Sequence, residues 1–177
     1  MDALTQAIEG FISRGANRVS KLLAKEAAKL IFDNLADCQN NPAARTMVAE
    51  GSMLGAMAFT QSGLGSVHGI GHPLGSLLHV PHGVCCAILL TEVLKFNRPS
   101  CDLNELAAYL GLEDDVALIK ELAALRRKLG LPDDFKSYGL KKEHYSFIVK
   151  NCRSGSMKTN PRDFSDAEVV QLLEQLS

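Results

Sequence analysis

Apolar positions recur with the 3.6-residue period of an α-helix along most of the chain, and no stretch sustains the alternation of a strand. From Asp2 to Ser13, Ala3, Ala7, Ile8 and Phe11 fall roughly on one side. Leu23, Ala27, Leu30, Ile31 and Leu35 follow the i, i+4, i+7, i+8, i+12 spacing of an amphipathic helix. Asn41-Pro42 reads as an N-cap with proline at the first helical position. The helix it opens runs to about Ser62 and is apolar nearly all round, which predicts a central place. His68 to His79 predicts a buried helix. His82 to Phe96 predicts another, since Val84, Cys85, Cys86, Ala87, Ile88, Leu89 and Leu90 are too apolar for a surface. Arg98-Pro99-Ser100 predicts a turn and Asp102 to Leu110 a short helix. Val116 to Leu129 is stopped by Gly130, with Pro132 just beyond. Lys141 to Asn151 and Ser165 to Leu176 complete the series, and Ser165 with Glu168 has capping-box spacing. No hairpin signal such as Asn-Gly occurs. The pattern predicts an all-α bundle, roughly two thirds or more helical.

The 177 residues suit a single domain, 1–177, large enough to bury a core without staples. A net charge of −1 gives no reason to expect nucleic acid or an anionic membrane as partner. Apolar runs stop well short of the roughly 20 residues a membrane span needs. Asp2 and Glu9 interrupt the start, where a signal peptide would be apolar. The five cysteines, Cys38, Cys85, Cys86, Cys101 and Cys152, are odd in number and lack metal-finger spacing. They are expected to be reduced packing residues of a cytoplasmic protein. No phosphate-binding glycine loop follows a strand. Gly51, Gly55, Gly63, Gly65, Gly69, Gly71 and Gly75 sit in helical surroundings and predict close helix packing.

The chemistry concentrates between Gly65 and Gly83, where four of the five histidines lie. Such a density of imidazole in an apolar, glycine-rich segment points to a metal or a reaction. His68 and His72 share a helix face. On one unbroken helix His68 and His82 would stand roughly 21 Å apart, too far to share an ion held at about 2 Å. If they do share one, the chain turns between them, and Pro81 supplies the break. His79 is expected to be structural or a partner of a ligand, and His144 a solvated surface residue.

The run His68-(three residues)-His72-Pro73-Leu74-Gly75, followed by Pro81-His82-Gly83, resembles the signature of the iron-containing alcohol dehydrogenases. The opening Met1 to Gly10 resembles the start of that family's metal-binding helix, and Asn160-Pro161-Arg162-Asp163 the segment before its last helix. The resemblance implies the helical C-terminal domain of these enzymes and of dehydroquinate synthase-like proteins, without the α/β domain that binds the dinucleotide. It implies Asp2, His68 and His82 as ligands of Fe(II) or Zn, with Gln6 where the family usually has a histidine. A neutral amide oxygen is a poorer donor than imidazole, so Gln6 is expected to weaken the site. His72 is implied as a catalytic proton relay. NAD(P) would come only through a missing domain or a partner chain, and the substrate would be a small alcohol or aldehyde. An uncovered apolar cleft wall around His68, Gly71, His72 and Gly75 would also favour self-association. The alternative is a relic domain with an empty site and a structural or partner-binding role.

Overall fold

The computed structural model describes residues 1–177. It contains α1 (Asp2–Ile12), α2 (Arg18–Asn34), α3 (Pro42–Ser62), α4 (Ser66–Leu78), α5 (His82–Asn97), α6 (Asn104–Tyr109), α7 (Asp115–Lys128), α8 (Tyr145–Asn151), α9 (Gly155–Lys158) and α10 (Asp166–Gln175). Single 3-10 turns occupy Arg98–Ser100, Lys136–Tyr138 and Lys142–His144. Helix accounts for 72% of the residues and there is no strand, as the periodicity predicts. No helix is long and apolar enough to cross a membrane.

One cluster of 40 buried residues forms the core. α1 is its axis, packed against α2, α3 and α5. It buries Leu4, Ala7, Ile8 and Phe11 and, less usually, Thr5 and Glu9. α5 is buried without interruption from Cys85 to Thr91. α4 lies along α5 and also meets α8 and α9.

The expected centrality of α3 is wrong. Only Ala44, Gly51, Gly55, Ala58 and Ser62 are buried on it, while Met53 and Met57 are 57% and 50% exposed. α3 is a surface helix held by a seam of small residues. A Cβ on Gly51 would lie 2.7 Å from Cγ1 of Ile31 and 3.0 Å from the carbonyl of Ala27. The same close approach shifts the buried stripe of α2 onto Ser20, Ala24, Ala27, Ala28 and Ile31. Leu23, Leu30 and Leu35 are only half-buried. Gly63 has a backbone role that close packing does not describe. Its φ of 76° ends α3, and no β-carbon is tolerated there beside Thr159.

Other boundaries follow local chemistry. Asn17 and Ser20 cap α2 reciprocally, and Ser165 and Glu168 do the same for α10. Asn41 caps α3 with Pro42 at its first position. The predicted Lys141–Asn151 helix begins as a 3-10 turn, where His144 is half-buried and accepts from the Lys141 amide through Nδ1 at 3.1 Å. It is thus a local cap, not a free surface residue. The four-residue α9 was too short to carry a period.

Asn160 lies wholly buried beside the start of α4. Its Oδ1 accepts from the Ser66 amide and from Nδ2 of Asn97, both at 3.0 Å. Its Nδ2 donates to Oδ1 of Asn97 at 2.8 Å and to the Arg162 carbonyl at 2.7 Å. Asn160→Ala would orphan several buried polar groups at once. It is expected to destabilise the fold by about 2–4 kcal/mol. Calorimetry should read this as a Tm roughly 5–15 °C lower.

Candidate metal centre

Three helix ends meet at one point. α1 begins at Asp2, α4 carries His68 in its first turn, and α5 begins at His82. The turn required between the two histidines is present. His79 ends α4 in the left-handed conformation (φ 54°), which histidine tolerates better than most residues. Its amide and that of Val80 both return to the Gly75 carbonyl, and Pro81 precedes the new helix. His79 is exposed and acts as this helix stop.

Nε2 of His68 stands 3.2 Å, and Nε2 of His82 3.5 Å, from the same Oδ1 of Asp2. Sγ of Cys86, one turn into α5, lies 3.6 Å from that oxygen and 3.6 Å from Nε2 of His82. One donor atom from each of Asp2, His68, His82 and Cys86 falls within 4.8 Å of the other three. A tetrahedral ion with nitrogen or oxygen at about 2.0–2.1 Å and sulfur at about 2.3 Å requires donor–donor edges of about 3.4 Å, and about 3.6 Å to sulfur. The four separations of 3.2, 3.5, 3.6 and 3.6 Å are close to these, so the residues fit a divalent cation. Gln6 lies one turn along α1, and its Nε2 donates to the other oxygen of Asp2, Oδ2, at 3.4 Å.

Glu9 orders the site from behind. It is 1% exposed, two turns from Asp2 on the same helix. Its Oε1 accepts from the Val67 amide at 2.7 Å, satisfying a free donor at the start of α4. Its Oε2 meets Nδ1 of His68 at 2.6 Å. That pairing places a proton on Nδ1 and turns Nε2 towards Asp2. A Cβ on Gly65 would strike Oε1 of Glu9 at 2.6 Å, so the residue before α4 has to be small for the carboxylate to reach the helix.

Without a cation the cluster is tied by protons. Burial opposes a charge on His68, but hydrogen bonds and charges from Asp2 and Glu9 outweigh it and raise its pKa to about 9. The same pairing with His68 holds the Asp2 carboxyl below its usual value. Burial, then Asp2 and Glu9, push the Cys86 thiol far up. His72 is lowered by burial and by the neighbouring His82 and His68, which keeps it neutral. His72 lies on the exposed rim of α4, its ring stacked 5.1 Å from that of His82.

A raised pKa on His68 stabilises the metal-free fold fully below pH 6.5, and this contribution is lost as pH rises through about 9. The Tm of chelator-treated chain is therefore expected to fall over that interval more steeply than that of His68→Gln. Parallel curves would mean that His68 does not share a proton with the two carboxylates.

Asp2, His68 and His82 were expected to meet, and they do; His72 adjoins them. Glu9 and Cys86 escaped the sequence reading. The available signals were spacings, Glu9 seven residues after Asp2 and Cys86 four after His82, each placing it on its predecessor's helix face. Along α4 His68 and Gly71 are buried, Gly75, Leu77 and Leu78 are half-buried, and His72, Ser76 and His79, at its end, are exposed.

Residues 1–177 match the family model described as the Fe-containing alcohol dehydrogenase family, C-terminal. The 1,3-propanediol dehydrogenase of Klebsiella pneumoniae is 34% identical over 189 residues, covering 99% of this chain and 49% of that protein. Lactaldehyde reductase of Escherichia coli (strain K12) is 32% identical, covering 97% and 48%. Among solved structures, a 1,3-propanediol oxidoreductase matches with a TM-score of 0.94 at 31% identity, covering 100% of this chain and 50% of its own. A sulfoacetaldehyde reductase from Bifidobacterium kashiwanohense, solved with NAD+, matches with a TM-score of 0.92 at 29% identity, covering 99% and 48%. The chain spans about half the length of the relatives it matches.

Proposed function

Because this chain belongs to the Fe-containing alcohol dehydrogenase family, as its C-terminal domain, we propose that it forms the metal-binding half of an enzyme interconverting small alcohols and aldehydes with NAD(P). The observation that carries this reading is the convergence of Asp2, His68 and His82 from three helices onto separations of 3.2 and 3.5 Å. A carboxylate with two imidazoles is a donor set for Fe(II) or Zn(II). When bound, such a cation supplies Lewis acidity, making a substrate hydroxyl easier to deprotonate and a carbonyl easier to reduce.

The remaining roles belong to the chain's own side chains. Asp2 and His82 are each about two-fifths exposed, so the cluster is open on that side to a small polar substrate. His68 is buried and fixed by Glu9, which keeps one ligand rigid. His72 is neutral, exposed and beside His82, placed to take a proton from an alcohol or return it to the product. Dinucleotide binding would fall to an α/β segment or chain packed on this face, and the nicotinamide, when bound, would supply the hydride chemistry.

The test is turnover of 1,3-propanediol or another small alcohol with NAD or NADP and added Fe(II) or Zn(II). The chain alone is expected to be inactive, since nothing in it holds a nicotinamide against the substrate. Adding a nucleotide-binding domain of the same family is expected to produce activity that disappears in His82→Ala. Turnover by the chain alone would overturn the division of labour. Silence in every combination, with no metal uptake, would leave a structural relic.

A further inference from the structure

We propose that Cys86 is a fourth protein ligand in this cluster, making it an Asp–His–His–Cys site suited to zinc. The inference rests on the metal-binding reading above and goes beyond it. It starts from the two donors one helical turn from an accepted ligand. On α1, Gln6 follows Asp2 by four residues, but its amide donates to Oδ2, whereas both histidines meet Oδ1. On α5, Cys86 follows His82 by four residues, and its sulfur stands 3.6 Å from both Oδ1 of Asp2 and Nε2 of His82. These are the separations that sulfur at about 2.3 Å and nitrogen or oxygen at about 2.0–2.1 Å impose around one tetrahedral centre.

Cys86 is wholly buried, yet its sulfur faces a carboxylate and an imidazole where a packing cysteine would face carbon. Its neighbour Cys85 supplies the contrast. Cys85 is equally buried, but its sulfur sits against Gly75, 3.0 Å from where a Cβ would stand, in the seam between α4 and α5. Only one of the adjacent pair points into the site.

Charge supports the assignment. One thiolate and one carboxylate neutralise a divalent cation, and the two imidazoles bind as neutral donors. Uptake forms a metal–sulfur bond, breaks the S–H bond and releases that proton to solvent; nothing is oxidised or reduced. Thiolate is a soft ligand, and zinc stands above iron(II) in affinity for nitrogen and sulfur sites, so Cys86 shifts the preference from Fe(II) to Zn(II).

The experiment is an anaerobic titration of the full chain with Co(II), followed optically and then displaced with Zn(II) or Fe(II). One equivalent of Co(II) is expected to give visible d–d bands and a near-ultraviolet thiolate-to-cobalt band, with Zn(II) displacing it far more effectively than Fe(II). Cys86→Ser should abolish the near-ultraviolet band and weaken Co(II) by about 100-fold, while Asp2, His68 and His82 still hold the ion. Cys85→Ser should retain the band. Circular dichroism of both variants separates ligand loss from misfolding. Visible bands with no thiolate band in the unaltered chain would overturn the role of Cys86 and leave the three-ligand site standing. Loss of the band in Cys85→Ser with retention in Cys86→Ser would also overturn it. No Co(II) uptake at all would overturn both readings.

Discussion

The His82→Ala variant is expected to lose Zn(II) affinity by about 100-fold or more while keeping its fold. Four-ligand zinc sites bind with about 10–16 kcal/mol, so one ligand accounts for roughly 3 kcal/mol, or about two decades in Kd. His82 is the cleanest ligand to remove. Its side chain is 39% exposed at the first position of α5, where it neither fills the core nor caps the helix. Alanine is also the better helix former. His68 offers no such separation, because its removal would leave the buried Glu9 without its imidazole partner. Calorimetric titration of metal-free chain reads the loss directly. Unchanged affinity in His82→Ala would place the cation elsewhere.

Glu9→Gln is expected to lower metal affinity by about 10–100-fold, although Glu9 touches no ion. The carboxylate accepts twice, from the Val67 amide at 2.7 Å and from Nδ1 of His68 at 2.6 Å. Glutamine is the same size but accepts at only one of its two terminal atoms. If its oxygen keeps Val67, its NH2 confronts Nδ1 and forces the imidazole proton onto Nε2, the atom that should bind. If the amide turns over, the Val67 donor is orphaned at the start of α4. The first arrangement unseats His68 as a ligand, and the second keeps its tautomer only by leaving a buried backbone donor unmade. The change is isosteric, so the variant should fold, and a chelator-resistant wild-type site should become chelator-sensitive. Equal affinity in the two proteins would mean that Glu9 serves α4 alone.

The helices were legible because their apolar periods were long and their ends carried local chemistry. Asn41-Pro42, Ser165 with Glu168, and Gly130 act through neighbours within four residues, so sequence order reports them. α3 misled because alanine, glycine and methionine make a segment look apolar all round. The seam is chosen by which of them lack bulk, and Gly51 and Gly55 face α2 while Met53 and Met57 face outward. Asp2, His68, His72 and His82 were legible as a motif, and the break at Pro81 made their meeting sterically possible. Glu9 and Cys86 were hidden for another reason. Their spacings put them on the helix faces of Asp2 and His82, but the contacts of Glu9 with His68 and of Cys86 with Asp2 span 59 and 84 positions and exist only in the packed fold. Asn160 is similar: its 94-residue reach to Ser66 exists only in the packed fold.

The most direct measurement is anomalous diffraction at the zinc edge from crystals of the chain grown with Zn(II). A single dominant peak is expected about 2.0–2.2 Å from a carboxylate oxygen of Asp2 and from Nε2 of both His68 and His82. A dominant peak on His79 or His144, or density linking Asp2 to His68 with no ion between them, would contradict the site.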